Sequence, residues 1–434
     1  MSDQSTTRRV VITGFGAVTP LAHTAAGTWE GMREARSGIT NITKPEFEPY
    51  DGWTCEVGGE VSDWDPATRL DRKELKRLDR CTQLGMFAAE EAVAESGIDF
   101  DNEDRTRCGI VIGSGIGGIY TIETAVGVLN AKGPDRISPF TVPRLMVNAV
   151  AGNIAIRHGL QGPASAHATA CASSGHAMAD AVNIIKRGEA DVMISGGAEA
   201  ALTPLCIGSF MTMKAMSTRN DDPATASRPF DEGRDGFVLA EGACILVLEE
   251  LEHAKARGAT IYAELTGAGN ACDAFHITAP DPGGSGASRS MLGALRDTKL
   301  NPEDIGYVNA HGTSTPLGDK AEVEAALHVF GDHARASAGG QLMMSSTKSV
   351  HGHTLGASGS VETIACIHAV RDAVIAPTAN LHNPGTRLED GTVEPFDMHL
   401  VANEAAERPI KHAMNNTFGF GGHNVTLIVS RFEG

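Results

Sequence analysis

Short runs of β-branched residues, each followed by glycine or a turn, recur along the chain and alternate with helical patterns. The first series comprises "VVITGFG" from Val10, "CGIVIGSG" from Cys108, "ADVMISGGAE" from Ala190 and "CILVLEE" from Cys244. Apolar residues at helical spacing lie between these runs, as in residues 72–96 and 174–187. Strands that alternate with helices are typical of α/β proteins with buried sheets. The pattern therefore predicts an α/β fold.

A second series of the same kind begins near Thr260. It contains "IYAELTGAG", "IGYVNAHG", "LMMSSTKS", a helical pattern from about 356 to 371, and "VTLIVSRF". The helical segment "LEELEHAKARG" closes the first series at Gly258, since glycine commonly ends a helix. We therefore predict two domains, residues 1–259 and 260–434. The halves are compatible with a duplication, although they share no clean sequence repeat.

Charge and cysteine usage exclude several classes of protein. The net charge of −18 argues against nucleic-acid binding, which needs a basic surface. The eight cysteines are scattered without a CxxC pair, so no zinc site or dithiol is indicated and a reducing compartment is expected. A short polar tail leads straight into the first strand, with no leader-like or membrane-length apolar run. We expect a cytoplasmic protein with no membrane association.

Two glycine-rich stretches resemble nucleotide-binding loops only superficially. The run "GSGIGG" at 113–118 follows a strand and fits G-x-G-x-x-G, but the acidic residue at the expected distance, Asp135, lies in a turn-like stretch. The run "TGFGAVTP" lacks the third glycine. Both are interpreted as close-packed turns between strand and helix.

The stretch "HATACASSGHAMADAVNIIKRG", residues 167–188, places a cysteine where a strand-and-turn pattern becomes a helix. Apolar residues recur at helical spacing and the segment ends in Lys-Arg-Gly, while Ser173 and Ser174 are candidate N-terminal caps. A helix N-terminus favours the thiolate form of Cys171, which is the nucleophilic form. The alternative is a buried cysteine that acts only as a small apolar residue.

Three further stretches carry reactive side chains in the second half. "VNAHGTSTPLGD" places His311 directly after a strand, and "SSTKSVHGHTLGASGSVE" places Lys348, His351 and His353 after another strand and ahead of a helix. "NNTFGFGGHN" reads as a glycine-rich loop with Phe418 and Phe420. Because ligands gather at the carboxyl ends of strands in α/β sheets, these segments are candidates for one site.

Four motifs in this order, "TACASS", "AHGTSTPLGDKAE", "STKSVHGHTLGASG" and "FGFGGHN", resemble those of the β-ketoacyl-[acyl-carrier-protein] synthases. The resemblance extends over nearly the whole chain. It implies the thiolase-like fold, in which two similar α/β halves stack in alternating layers, and a homodimer. It also implies that the nucleophile comes from the first half and both catalytic histidines from the second.

The resemblance assigns catalytic roles to matching positions. Cys171 corresponds to the acyl-accepting nucleophile, and His311 to the first catalytic histidine. His353, preceded by glycine and followed by small residues, corresponds to the second. Lys348 corresponds to the active-site lysine, with Glu362 as its acidic partner.

Further positions match residues that bind substrate. The resemblance makes Thr313 and Thr315 contacts of the phosphopantetheine arm and places Ile116 in the acyl-chain pocket. Phe420 matches a gating residue whose backbone N–H completes an oxyanion hole with that of Cys171. His351 and His423 have no assigned role: each either packs its loop or, for His351, reshapes the malonyl site.

The implied reaction is a decarboxylating condensation of an acyl group on Cys171 with a malonyl thioester, without a metal or organic cofactor. Two histidines favour this elongating class. By the same resemblance, the catalytic set is Cys/His/Cys in degradative thiolases and Cys/His/Asn in initiating synthases. A ketosynthase of a dissociated polyketide or specialised lipid pathway is the alternative. A non-catalytic chain-length factor is disfavoured, because such subunits lack the nucleophile.

The implied partner, acyl carrier protein, is acidic as a family, so docking on this acidic chain requires a local basic patch. The stretch "RLDRKELKRLDR", residues 69–80, would form two rows of bases on one helix. Arg72 and Lys73 match carrier-contacting positions of the family, as does Arg219. The alternative is a solvated helix face whose acids pair with the bases.

Overall fold

The computed structural model describes residues 8–388 and 390–434, so the polar tail at residues 1–7 lies outside the described residues. The strands in these residues are β1 Val10–Val18, β2 Thr40–Asn41, β3 Val57–Gly58, β4 Cys108–Gly113, β5 Ala164–His167, β6 Val192–Glu199, β7 Gly242–Glu250, β8 Ala263–Cys272, β9 Ile305–Asn309, β10 Met343–Ser345, β11 Val374–Ile375, β12 Gly385–Arg387, β13 Val393–Pro395, β14 His399–Leu400, β15 Ala406–Glu407, β16 His412–Gly419 and β17 His423–Ser430.

The α-helices of the same residues connect these strands. They are α1 Ala25–Arg33, α2 Arg72–Leu75, α3 Arg80–Ser96, α4 Ile119–Lys132, α5 Thr141–Leu145, α6 Ala149–His158, α7 Ser173–Lys186, α8 Pro204–Thr212, α9 Leu251–Ala256, α10 Ser285–Thr298, α11 Pro316–Phe330, α12 Lys348–His351 and α13 Ser358–Asp372. In the described part of the chain, no helix combines the length and the apolar character needed to cross a bilayer.

Eleven strands form one continuous sheet in the order β14-β10-β9-β16-β17-β8-β1-β7-β6-β4-β5. Five neighbouring strands of this sheet come from the first half, in the order β1-β7-β6-β4-β5, and five come from the second half, in the order β8-β17-β16-β9-β10. When the five strands of each half are numbered along the chain, both sets read first, last, second-last, second and third. In both sets the first two pairings are antiparallel and the last two are parallel. The two halves thus share one topology despite the lack of a sequence repeat. They join where β1 pairs with β8.

Helices cover both faces of each half-sheet. Helices α3 and α6 pack on the outer face of the first half, and α10 packs on the outer face of the second with α11 against it. Helices α7 and α13 lie between the two half-sheets and pack against each other. A helix enclosed on both sides must be apolar or small all round, and every residue of α13 from Ser358 to Val370 is buried. The fold is therefore layered, with α7 and α13 at its centre.

Glycine allows the two central helices to approach closely. A Cβ atom added at Gly359 would lie 3.1 Å from the backbone nitrogen of Gly175, and one at Gly175 would lie 2.5 Å from Val425 Cγ1. The separation at Gly175 is too short for a side chain and the one at Gly359 is tighter than an ordinary contact, so glycine at both positions allows this close packing. The starts of α7 and α13 consequently meet at one place, where the functional segments lie.

The structure corrects two sequence-based assignments. The helical pattern at 72–96 is divided into α2 and α3, because Asp79 caps α3 by accepting the backbone N–H of Cys81. The two continuous rows of bases predicted over residues 69–80 therefore do not form. The stretch "NNTFGFGGHN" is not one loop either, since Asn415–Gly419 continue β16 and only residues 420–422 form the turn before β17.

Candidate active site

A cavity of about 520 Å³ opens at the carboxyl ends of the parallel strands and takes its walls from both halves. Its lining includes most of the substrate and catalytic residues predicted from the sequence, namely Ile116, Cys171, His311, Thr313, Thr315, His353 and Phe420. Apolar side chains that the sequence did not single out, Phe210, Phe237 and Leu355 among them, complete the wall. Reactive groups in a largely apolar cavity are typical of a small-molecule site.

Cys171 lies in a tight turn between β5 and α7. The preceding residue, Ala170, has a φ of 50°, a left-handed conformation that costs free energy for a residue other than glycine. The Ser173 hydroxyl holds this turn by accepting the N–H of Thr169 at 2.9 Å and donating to the carbonyl of Ala170 at 2.6 Å. Ser173 thus fixes the turn rather than capping α7, and the Ser174 hydroxyl accepts the N–H of Ser360 on α13.

The Cys171 thiol is buried, and this burial raises its pKa to about 12. The ammonium of Lys348 and the backbone N–H of Phe420 act in the opposite direction but do not outweigh the burial. The lowered pKa expected from the helix N-terminus is therefore not found: desolvation of the thiolate exceeds the favourable electrostatics. The resting nucleophile is the thiol.

His353 contacts the nucleophile directly, with its Nε2 3.0 Å from Cys171 Sγ. Its Nδ1 lies 2.9 Å from the hydroxyl of Ser358, at the start of α13. Its backbone is fixed to the first half, since its N–H donates to the carbonyl of Val238 at 2.7 Å. Burial and the nearby charge of Lys348 lower the pKa of His353 well below its usual value. The imidazole is therefore neutral at physiological pH.

His311 faces His353 across the cavity, with ring centroids 5.4 Å apart and planes at 82°. Burial, Lys348 and His353 together lower its pKa well below the usual value, so it too is neutral. Glu322 on α11 positions this residue by accepting the backbone N–H groups of His311 and Gly312 at 2.9 and 2.8 Å. Burial raises the pKa of Glu322 to about 7.

Lys348 and Glu362 form a fully buried ion pair behind the cavity wall. Burial raises the pKa of Glu362 to about 7, against the opposing influence of the Lys348 ammonium. The charge of Lys348 lowers the pKa of both His311 and His353. The pair does not line the cavity, so its effect on the site is electrostatic rather than by direct contact with a ligand.

The potential ligand atoms of Cys171, His311 and His353 all lie within 4.8 Å of one another. Thiolate and imidazole are the groups that bind zinc. The Lys348 ammonium, however, acts on all three groups. A fixed positive charge disfavours a second cation at the same place, so the set suits a developing negative charge better than a metal.

Two loops of the second half narrow the cavity. The hydroxyls of Thr313 and Thr315 lie 3.0 Å apart and face it. The Phe420 ring lies 6.4 Å from that of Phe210, and its backbone N–H acts against the dominant effect of burial to lower the pKa of the Cys171 thiol. The backbone N–H groups of Phe420 and of Cys171 itself both favour negative charge on the sulfur.

The structure explains why "GSGIGG" is not a nucleotide cradle. Glu199, at the end of β6, accepts the Ser114 hydroxyl and the backbone N–H groups of Gly115, Ile116 and Gly117 at 2.6–3.3 Å. A carboxylate of the protein therefore occupies the place that a phosphate would take. The loop presents Ile116 to the cavity. Glu199 was missed from the sequence, although an acidic residue ending a fully buried strand was a signal.

His351 and His423 lie away from the nucleophile. His351 is fully buried, its Nε2 is 3.2 Å from the Thr347 hydroxyl, and burial lowers its pKa to about 3. It does not line the cavity, whereas His353 does. His423 is exposed at the start of β17, with its ring 6.5 Å from that of His176.

The bases expected to bind a carrier have different surroundings. Arg72 and Lys73 are exposed on α2, whereas Arg219 is half-buried in the segment after Lys214, which lines the cavity. Arg69 instead stacks on Phe87 at 4.1 Å and Arg80 pairs with buried Glu241. These two are therefore withdrawn from the predicted basic surface.

Comparison with known proteins identifies two matching family models, the β-ketoacyl synthase N-terminal domain at residues 7–254 and C-terminal domain at residues 262–382. The chain is 45% identical over 429 residues to a 3-oxoacyl-[acyl-carrier-protein] synthase 2 of Staphylococcus aureus strain N315, covering 99% of this chain and 100% of the relative. A Synechocystis protein of the same description is 44% identical over 426 residues, covering 98% and 99%.

Solved structures of ketosynthases have a fold similar to that of this chain. A β-ketoacyl synthase from Burkholderia phymatum superposes with a TM-score of 0.87 at 34% identity, covering 98% of this chain and 100% of the other. A type II polyketide ketosynthase in complex with its acyl-carrier protein, AntDE:AntF, gives a TM-score of 0.87 at 30% identity with the same coverage.

Proposed function

The chain belongs to the β-ketoacyl synthase family, and we propose that Cys171, His311 and His353 divide its reaction between them. It has the thiolase-like fold of these condensing enzymes. Its activity is that of the 3-oxoacyl-[acyl-carrier-protein] synthase 2 relatives: an acyltransferase that extends an acyl chain with a malonyl unit in fatty-acid synthesis.

Acyl transfer begins with attack of Cys171 Sγ on the thioester carbonyl of an acyl carrier. The new S–C bond forms, the bond to the pantetheine sulfur breaks, and the thiol proton ends on that leaving sulfur. The intermediate oxyanion accepts the N–H groups of Cys171 and Phe420, both of which favour negative charge on the sulfur. A transfer without net proton release suits a thiol that is protonated at rest.

Decarboxylation then requires hydrogen-bond donors that carry no charge. The carbon–carbon bond to the malonyl carboxylate breaks, carbon dioxide leaves, and the electron pair moves into the thioester to form an enolate. Neutral His311 and His353 each present an N–H to the enolate oxygen. When the Ser358 hydroxyl donates to Nδ1 of His353, the ring proton lies on Nε2, toward the cavity.

Condensation joins the two bound groups. The enolate carbon attacks the acyl-Cys171 carbonyl, the same pair of backbone N–H groups holds the oxyanion, and the Cys171 thiolate leaves. The thiolate takes up one proton, so the full cycle consumes one proton and releases one carbon dioxide. Burial, together with the charge of Lys348, keeps both imidazoles neutral, and Lys348 also favours negative charge at the sulfur.

The observation that carries this proposal is the 3.0 Å contact of His353 Nε2 with Cys171 Sγ, with His311 5.4 Å from His353 between ring centroids. The test is reconstitution of the purified protein with malonyl carrier and acyl carriers of increasing length. We expect β-ketoacyl products through long saturated chains. Absence of turnover with every simple acyl carrier would instead favour a ketosynthase of a specialised pathway.

We further propose that the carrier protein docks on the exposed bases Arg72 and Lys73, with Arg219 nearer the cavity. The net charge of −18 repels an acidic partner, but screening over about 8 Å at physiological salt leaves local bases dominant at contact range. Arg72→Glu with Lys73→Glu should raise KM for acyl-carrier substrates at least several-fold, while acylation by small uncharged thioesters stays nearly unchanged. Steady-state kinetics with both substrate types measures this.

Salt provides the control for this prediction. The penalty of the double reversal should shrink at high ionic strength, because screening weakens the interaction that the reversal disrupts. Equal losses with carrier-bound and small thioesters would show that the patch serves folding instead. Lys255→Glu is a matched control, since this base is also partly exposed but lies on α9, against the Phe432 ring.

We place the domain boundary between residues 259 and 260. In support, α9 ends at Ala256, β8 begins at Ala263, and each half completes the same strand order.

We also propose a homodimer in the cytoplasm. Strand β5 is an edge strand with exposed residues, and α4 and α5 nearby expose Val126, Leu129 and Val142. Unpaired edges and clustered apolar side chains are typical of interfaces. Sedimentation should give twice the 45.4 kDa mass of one chain; a concentration-independent monomer would contradict the proposal. The eight unpaired cysteines suit a reducing compartment.

A further inference from the structure

A buried carboxylate without a basic partner lies beside the nucleophile. Glu199 is fully buried, and among the described residues it makes no ion pair with lysine, arginine or histidine. Burying a carboxylate is unfavourable unless hydrogen bonds replace its hydration. Its negative charge also raises the pKa of Cys171, which opposes thiolate formation. None of the proposed reaction steps involves Glu199.

The hydrogen bonds of Glu199 join two segments from different halves of the chain. One is the acyl-pocket loop, residues 114–117, which presents Ile116 to the cavity. The other is the His353 segment, residues 353–356. Glu199 Oε2 accepts the N–H of Gly115 at 2.6 Å and the N–H of Gly356 at 3.1 Å. One oxygen atom is therefore shared by the two segments.

The two segments are also in direct contact. A Cβ atom added at Gly356 would lie 2.3 Å from the backbone nitrogen of Gly115 and 2.7 Å from Glu199 Oε2. The remaining oxygen, Oε1, accepts the Ser114 hydroxyl and two further N–H groups of the acyl-pocket loop. Donors from both segments thus surround the carboxylate, and only a group with two acceptor oxygens satisfies them all.

We propose that Glu199 is a positioning residue that fixes the acyl-pocket loop and the His353 segment as one unit, so that acylation of Cys171 and decarboxylation of malonyl carrier both depend on it. The inference rests on the function proposed above. It predicts that one substitution at a residue that does not line the cavity impairs two half-reactions that use different substrates. A residue that only supported the acyl pocket would impair acylation alone.

The test is Glu199→Gln, which keeps the side-chain size but turns an NH₂ group toward backbone N–H donors. Acylation of Cys171 by a short and a long acyl thioester is followed by mass spectrometry. Decarboxylation is followed by carbon dioxide release from malonyl carrier in a Cys171→Gln background, where acylation does not occur. We expect both rates to fall by about tenfold to a hundredfold, the usual effect of displacing a positioned group by about 1 Å.

Glu249→Gln is the matched control, because Glu249 is equally buried but pairs with Arg257 away from the cavity. It should lower Tm and leave both rates per folded enzyme unchanged. Loss of only one half-reaction in folded Glu199→Gln, or of neither, overturns the inference. If the glutamine variant does not fold, Glu199→Asp decides by the same criterion. A parent enzyme that lacks both half-reactions would instead refute the proposed function.

Discussion

Replacing Cys171 with glutamine is expected to abolish condensation and to spare decarboxylation of malonyl carrier. The acyl group then has no sulfur to accept it, so no β-ketoacyl product forms. The glutamine amide occupies the space of the acylated cysteine, and His311 and His353 remain to hold the enolate oxygen. The measurement is carbon dioxide release from labelled malonyl carrier, compared with product formation in the same samples.

Carbon dioxide release and product formation together separate the role of the Cys171 nucleophile from that of the hydrogen-bond donors His311 and His353. Retained carbon dioxide release with no condensation product is the expected pattern. If a folded Cys171→Gln protein lost decarboxylation as well, the histidines would not suffice for that step and the division of roles would be wrong. Circular dichroism provides the folding control, since Cys171 packs in a turn held by Ser173.

Removing either catalytic histidine should cost about 10²–10³-fold in decarboxylation rate, the usual effect of losing one preorganised oxyanion donor. Both His311→Ala and His353→Ala delete a neutral N–H that faces the cavity. Acyl transfer to Cys171 should fall less, because its oxyanion is held by backbone N–H groups. Single-turnover acylation and carbon dioxide release measure the two effects separately.

His351→Thr provides the control for the histidine pair. Its imidazole contacts Thr347 and does not line the cavity, so we expect a mild effect on both steps. A loss as large as that of His353→Ala would reverse the choice between the two histidines. The comparison is stringent because His351 and His353 are two residues apart and both are buried.

Local patterns in the sequence were enough to locate the site. Cys171 follows a strand-to-helix transition, and His311 and His353 follow strand-to-loop transitions, so the carboxyl-end rule of α/β sheets brought the segments together. The family resemblance then named their roles. The helix from 173 to 186 and the α/β class both followed from apolar periodicity.

Properties that depend on tertiary packing were not accessible in this way. The helix N-terminus suggested an acidic thiol at Cys171, but tertiary packing buries the thiol, mostly among apolar residues of the first half, and the loss of hydration dominates its pKa. The rows of bases at 69–80 required one continuous helix. Asp79 begins a new helix there, and its other carboxylate oxygen accepts the N–H of Thr121, a partner 42 residues away.

Glu199 shows the same limit for polar residues. Its strand, β6, was identified from the sequence, but the acidic residue at its end was given no role, although the strand is buried throughout. Only the fold brings the loop at 114–117 and Gly356 around the carboxylate. A strand that is buried throughout and ends in a single acidic residue therefore indicates a carboxylate that is held inside the protein by backbone N–H groups.

The shared strand order of the two halves has a consequence for engineering. In the matched topology the connection after β5, which bears Cys171, corresponds to the connection after β10, which bears His353; likewise the loop after β4 corresponds to the loop after β9, which bears His311. The first half supplies the nucleophilic sulfur, and the second half supplies both imidazoles of the site. A symmetric pair of first halves would place two Cys171 thiols in the site without His311 or His353. A symmetric pair of second halves would have these histidines but no nucleophilic thiol. The two halves therefore share a scaffold but cannot replace each other in the site.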